Sequence, residues 1–325
     1  MSNVTSNHTT HRELVASRLA NGIWIYAGAI LLLIGTVGNS LVLAVVVRSN
    51  LRKLTTSLYL IVLAVVDTAI LYNGLMRYWI KEITGTDIRM ASVSSCKVQT
   101  FFAYFLVQFE AWILVCVAFE RMVAVFHPHR AKVIFTKRFA AIQITFTGLV
   151  LMVINLHFFW THTLMHGSCL LSDTKFTYFA DNIWKWLDFV LSSLGPFVLM
   201  VSFNVAIISR LIYLKYAKKR TTDVVSKRLN TMTAILITIS FVFFLTTAPI
   251  SFFSRRERHR EEAAESDEEW AIISIVAYVN NAINFILYCL SGPCFRRELA
   301  KMLKIEKYLS KIHPVENNDT GNEGR

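Results

Sequence analysis

A few side chains able to hold or move charge stand inside stretches that are otherwise almost wholly apolar. They are the carboxylates Asp67 and Glu110 and the amides Asn39, Asn280, Asn281 and Asn284. Polar groups in such surroundings are costly, and by default they mark function. Glu110 lies 14 residues beyond Cys96, roughly 21 Å along a helix rising 1.5 Å per residue. At another place Glu120 directly precedes Arg121, and Arg77 stands within a further apolar run. The fork of a guanidinium suits a carboxylate or an amide carbonyl, so Arg77 either contacts a ligand or pairs with an acid on a neighbouring helix. Hydrolytic and phosphoryl-transfer chemistry has no foothold: no Walker loop, no Cys/His metal cluster and no catalytic triad occurs. His157, His162 and His166 cluster without a convincing ligand partner, so no metal site and no enzyme is expected.

The elements that position these groups follow from composition. The 325 residues are 54% hydrophobic and 17% charged, against roughly 25% charged in soluble domains. Disorder is excluded by the apolar content, and collagen-like or disulfide-scaffold classes by the Gly and Cys counts. A bilayer core about 30 Å thick needs about 20 apolar residues of helix. Seven stretches qualify, at 23–47, 57–80, 98–126, 138–161, 185–213, 230–253 and 270–290. The fold class expected is therefore an all-α membrane protein, a seven-helix transmembrane bundle.

The formal net charge of +12 suggests nucleic acid only until the basic residues are placed. With the N-terminus outside, 22 of the 34 fall in the inner loops and tail, and the positive-inside rule selects that orientation. Asn3-Val4-Thr5 and Asn7-His8-Thr9 are then glycosylation acceptors at Asn3 and Asn7 on the correct side. The first 20 residues are polar, so the first span is expected to direct insertion itself. Cys96 and Cys169 both meet an oxidising compartment and are expected to pair. Cys116 and Cys289 read as packing residues, and Cys294, just under the membrane, as a palmitoylation candidate.

In this order the residues resemble the rhodopsin-like (class A) G-protein-coupled receptors, over nearly the whole chain. The resemblance is carried by Gly38-Asn39, the Leu63-Ala64-Val65-Val66-Asp67 run, Cys96 with Cys169, and Glu120-Arg121-Met122 followed by Pro128. It continues through Pro196, Phe243, Pro249, Asn284-Phe285-Ile286-Leu287-Tyr288 and Phe295-Arg296-Arg297-Glu298-Leu299. The run from Ala282 to Gly292 also looks like invertebrate-type neuropeptide receptors. There are departures. The fourth helix lacks its usual tryptophan, Thr247 holds the tryptophan toggle position, Phe285 replaces a proline, and Asn204 stands where tyrosine is usual. An aromatic toggle cannot be assumed.

The resemblance implies roles. Glu120 and Arg121 pair when inactive, and Arg121 then meets the G protein. Pro196 and Pro249 kink their helices, so that the helix below Pro249 swings outward, with Phe243 and Tyr288 in the switch. Asp67 marks a sodium pocket faced by Asn284 and by Asn280 or Asn281. Glu110 adds a second carboxylate there, and two carboxylates in one dehydrated pocket imply tighter cation binding or a shared proton; no other cofactor is expected.

Ala103 stands where amine receptors carry an aspartate, and Tyr278 where a retinal lysine would be. The candidate ligand-binding residues at the outer mouth are Arg77, Trp79, Gln99, Trp184, Lys185, Asp188, Glu269 and Trp270. An aromatic mouth of mixed charge suits a short peptide. The alternative is a lipid or small organic acid on Arg77, and the remote one a transporter or channel, which lacks the repeated halves of such proteins. The reading is a plasma-membrane receptor with an extracellular peptide ligand, a heterotrimeric G protein and membrane lipids as partners, and no nucleic acid. It divides into an extracellular N-terminus (1–22), the bundle (23–290), an amphipathic eighth helix (291–312) and a cytoplasmic tail (313–325). The charge run from Arg255 to Glu269 is a solvated surface or a steering surface.

Overall fold

The computed structural model describes residues 17–217, 241–250, 265–291 and 293–303. The expectations for Asn3, Asn7, residues 230–240 and 251–253 of the sixth stretch, the run 255–264 and the tail lie outside the described residues, as does the side chain of Cys294.

Among the described residues six helices are long and apolar enough to cross a membrane: α1 (Ser17–Arg48), α2 (Thr56–Thr84), α3 (Val93–Phe126), α4 (Lys137–Thr161), α5 (Thr174–Leu214) and a sixth at Glu268–Leu290. That sixth belongs to α7 (Glu265–Ser291). Before it comes the shorter apolar helix α6 (Phe241–Ile250), and after it α8 (Pro293–Met302). Each long helix overlaps one expected stretch, because an uninterrupted apolar run of that length leaves the backbone no way to satisfy its own polar groups except as helix.

The helix ends carry their own signals. Ser92 accepts from the Ser95 N–H at 3.0 Å and Thr136 from the Phe139 N–H at 3.2 Å, capping α3 and α4. Gly85 closes α2 at φ 71°, a left-handed conformation that favours glycine. Arg296 reaches back from α8 to the last carbonyls of α7, those of Cys289 and Leu290, at 2.9 and 2.8 Å. Between α4 and α5, β1 (His162–Met165) and β2 (Ser168–Leu171) form an antiparallel hairpin with Met165 opposite Ser168. Its turn, His166-Gly167, has both φ values positive, at 49° and 74°, as a two-residue hairpin requires. A disulfide joins Cys96 to Cys169, tying this hairpin to the start of α3.

Helix α3 is the centre of the bundle: 72% of its apolar window is buried, against 17% in α4. Helices α1 and α7 approach closely at two glycines. A Cβ on Gly35 would stand 3.3 Å from Ala282 Cα, and one on Gly38 would stand 3.1 Å from Phe285 Cβ. In α5 the turn Val190–Leu194 is wound one residue wider than an α-turn, and the Gly195 N–H bonds the Val190 carbonyl. The next donor in that ladder would be residue 196, a proline without an N–H. Trp112 of α3 fills the gap, its Nε1–H donating to the Leu191 carbonyl at 3.0 Å.

Candidate functional site

The intramembrane polar residues converge. Asn39, Asp67, Glu110, Asn280, Asn281 and Asn284 come from α1, α2, α3 and α7, and all are buried. Asn280 Nδ2 donates to Glu110 Oε1 at 2.6 Å and Asn284 Nδ2 to Asp67 Oδ2 at 2.6 Å. Asn281 divides its amide, donating to Asp67 Oδ1 at 3.0 Å and Glu110 Oε2 at 2.8 Å. Asn39 Nδ2 in turn donates to the Asn281 carbonyl at 3.1 Å. All four carboxylate oxygens therefore accept an N–H. Asn39 Oδ1 is buried without a partner. Carboxylate and amide oxygens are the donor types that suit a small hard cation. Among the described residues no group of three or more His, Cys, Asp or Glu converges.

The residues expected at the outer mouth divide between two seams. In the first, Arg77 meets Asp87, from the turn after α2, through Nε and Nη2, both at 2.9 Å. Arg89 adds a longer contact to Asp87 at 3.4 Å. The Arg77 guanidinium also lies 4.3 Å from the Tyr78 ring centroid, and that ring stacks on Trp24 at 4.3 Å. Burial raises the Asp87 carboxyl, but the hydrogen bonds from Arg77 and the Arg89 N–H, with the two guanidinium charges, more than offset this and leave it lowered. Arg77 is thus held in a buried ion pair with Asp87. Trp79 Nε1 donates to the Ile25 carbonyl at 3.1 Å, binding α2 to α1. Gln99 and Asn73 exchange side chain-to-backbone hydrogen bonds at 3.1 and 3.3 Å. Trp270 packs with the Trp24 cluster, and Glu269 is exposed.

In the second seam, Asp188 of α5 accepts from Gln108 Nε2 at 2.9 Å, and Gln108 Oε1 accepts from Asn155 Nδ2 at 2.7 Å. Gln108 and Asn155 are fully enclosed. Trp184 is buried against Tyr104, His157 and Phe158, while Lys185 pairs with Asp181 one turn back at 3.1 Å. Gln108, Asn155 and Trp112 were not singled out in the sequence. The signal available was the same one that found Glu110, a polar group inside an apolar helix.

At the opposite end of α3, Arg121 Nη2 donates to Thr56 Oγ1 of α2 rather than to Glu120. Glu120 is buried, and its Oε2 has no hydrogen-bond partner. Phe243, Met200 and Tyr288 share the core cluster, joining α6, α5 and α7. Directly after Pro196, Phe197 stacks on Phe244 with centroids 3.6 Å apart. Pro249 falls within the described part of α6, and Thr247 is buried. Asn204 is buried with its Oδ1 unpartnered.

A family model described as the 7 transmembrane receptor (rhodopsin family) matches residues 38–288. The human C-C chemokine receptor type 1 is 25% identical over 294 residues, covering 84% of this chain and 77% of that protein. Human olfactory receptor 51E2 is 27% identical over 185 residues, covering 53% of this chain and 57% of its own. A Caenorhabditis elegans protein named as a putative G-protein coupled receptor is 25% identical over 327 residues, covering 85% of this chain and 72% of its own.

Proposed function

The chain belongs to the rhodopsin family of seven-transmembrane receptors, a multi-pass membrane receptor and not an enzyme, and from that premise we propose that it binds an extracellular peptide and activates a heterotrimeric G protein. It acts at the plasma membrane with its N-terminus outside. Helix α6 is the described part of the sixth of seven spans. Helix α8 lies along the cytoplasmic lipid surface, with Arg297 and Lys301 toward the headgroups.

The observation that carries the peptide reading is the two-point pair between Arg77 and Asp87. A small organic acid or a lipid carboxylate would need that guanidinium, and Asp87 already occupies it. Ala103 likewise offers nothing to a monoamine. Among the relatives, the chemokine receptor matches over far more of this chain than the olfactory receptor does, which favours the same reading.

The mechanism is a shift between two packings, driven only by the ligand's differential affinity for them. Ligand contacts between α3 and α5 act on the turn held by Trp112, which neighbours the Phe197–Phe244 stack and so α6. Movement of α6 and α2 releases Arg121 from Thr56 for the G protein. In the core, Asp67, Glu110 and Asn39 Oδ1 would hold a sodium ion, whose charge would offset the two carboxylates; without it, a proton shared between Asp67 and Glu110 does the same.

Screening amidated peptides against small acids in calcium and cAMP assays tests this reading. A peptide response that requires a G protein is expected. A response confined to small acids, or a ligand-evoked current that persists without any G protein, would overturn it.

A further inference from the structure

The hairpin of β1 and β2 has a strand edge whose hydrogen-bonding groups are unspent. Its register sets Met165 opposite Ser168, Leu164 opposite Cys169, Thr163 opposite Leu170 and His162 opposite Leu171. In an antiparallel ladder every second pair exchanges both hydrogen bonds, and the residues between turn their N–H and C=O away from the partner strand. The Ser172 N–H donates to the Thr161 carbonyl at 2.8 Å. The bonded pairs are therefore Thr161 with Ser172, Thr163 with Leu170 and Met165 with Ser168. Cys169 and Leu171 are left directing their N–H and C=O outward, away from β1. No described residue bonds these groups. Strand β1 lies against α3 and the end of α4, while β2 neighbours the turn Ile88–Met90 without a backbone bond to it.

The edge is also unguarded. Exposed edges are commonly blunted by charge or proline, because they template pairing with another chain. Ser168-Cys169-Leu170-Leu171 carries neither. Its side chains alternate between two faces. Cys169 is tied to Cys96 of α3 and Leu171 enters a cleft with Phe158 and Phe179, while Leu170 is 50% exposed. The disulfide thus fixes the strand over the bundle.

What complements such an edge is a second backbone. The outward groups of Cys169 and Leu171 recur roughly 6.8 Å apart along the strand. An extended peptide repeats its own donors and acceptors at that spacing; a lipid, a monoamine or a small acid does not. We propose that the outer edge of β2 captures an extended segment of the extracellular peptide ligand as a third strand, paired at Cys169 and Leu171. About four main-chain hydrogen bonds would hold it. Side chains of the segment opposite Cys169 and Leu171 then point toward the bundle, and the one between them toward solvent. The proposal rests on reading the ligand as a peptide.

The test follows amide deuterium exchange at residues 168–171 of purified full-length receptor, read residue by residue by mass spectrometry. The probe is the capped pentapeptide acetyl-Thr-Val-Thr-Val-Thr-amide at millimolar concentration. Its twin, methylated on every backbone nitrogen, keeps the side chains and loses the donors. Without peptide, Cys169 and Leu171 are expected to exchange faster than the paired Leu170. The pentapeptide should slow both roughly three-fold, the effect of a ligand at about twice its Kd, and the twin should leave them unchanged. Leu171→Pro removes one outward donor and none of the bonds to β1, and should abolish the slowing at Cys169. If that variant does not fold, the methylated twin decides alone. Slow exchange at Cys169 and Leu171 without peptide would mean that residues 1–16 or a second copy of the chain already covers the edge, and overturns the proposal. So does unchanged exchange with the pentapeptide, equal slowing by the twin, or slowing that survives in Leu171→Pro. No signalling enters the measurement. Its failure leaves the peptide screen to stand by itself, and a failed screen leaves the exchange result intact.

Discussion

Arg77 and Asp87 face each other across the end of α2 through two hydrogen bonds of 2.9 Å, with side chains 10% and 3% exposed. The pair folds the turn after α2 back onto its own helix, ten residues on. Removing one partner leaves a buried charge unmatched. Arg77→Ala or Asp87→Ala should each destabilise the protein by about 3 kcal/mol. The double variant should cost little more than either single one, and thermal melts of purified receptor check this. Additive losses would show that the two side chains act separately.

The same pair sets a pH dependence. Asp87 is lowered in the folded protein, so its contribution to stability is fully present above the unfolded carboxylate value of about 3.9. That contribution is lost as pH falls through the lower folded value. The melting-temperature gap between wild type and Asp87→Asn should be constant from pH 7 to about pH 5 and shrink below about pH 4. A gap that widens on acidification contradicts the assignment.

Glu110 adds a second carboxylate to the network of Asp67, and Asn281 donates to both. Glu110→Ser should change the sodium or the pH sensitivity of agonist binding, since one charge fewer needs one cation or proton fewer. Radioligand competition across a sodium series and a pH series reads both. No change in either sinks the idea.

Trp112 compensates for the N–H that Pro196 lacks. Trp112→Phe leaves the Leu191 carbonyl buried and unpaired, and should cost about 1–3 kcal/mol. Pro196→Ala restores a backbone donor, so the same substitution in that background should cost less than half as much. Melting temperatures of the four proteins in the cycle measure the coupling, and zero coupling refutes the compensation.

Thr56 holds Arg121 at the end of α3 opposite the disulfide. Thr56→Ala removes that restraint, and basal nucleotide exchange on a supplied G protein should rise about two-fold or more, the equivalent of a hydrogen bond worth about 0.5–1 kcal/mol. Unchanged basal exchange would mean that the contact does not restrain activation.

Sequence alone located the six long apolar helices found among the described residues, because a run of about 20 apolar residues has one stable form in lipid. It also picked out Asp67, Glu110 and the three asparagines of α7, since each breaks an apolar run. Tertiary structure decided the partners. Arg77 read equally as a ligand contact or an acid's partner, and only the fold of the turn brings Asp87 within 2.9 Å of it. The enclosure of Gln108 and Asn155 beside Asp188 depends on how α3, α4 and α5 are rotated about their axes. Two wide turns in α5, Phe179–Trp184 and Val190–Leu194, flank Asp188 and reset that rotation, and they are invisible to apolar periodicity. Hydropathy records how far a residue lies from water; which group it meets there is settled by packing, because a hydrogen bond needs its partner within about 3 Å.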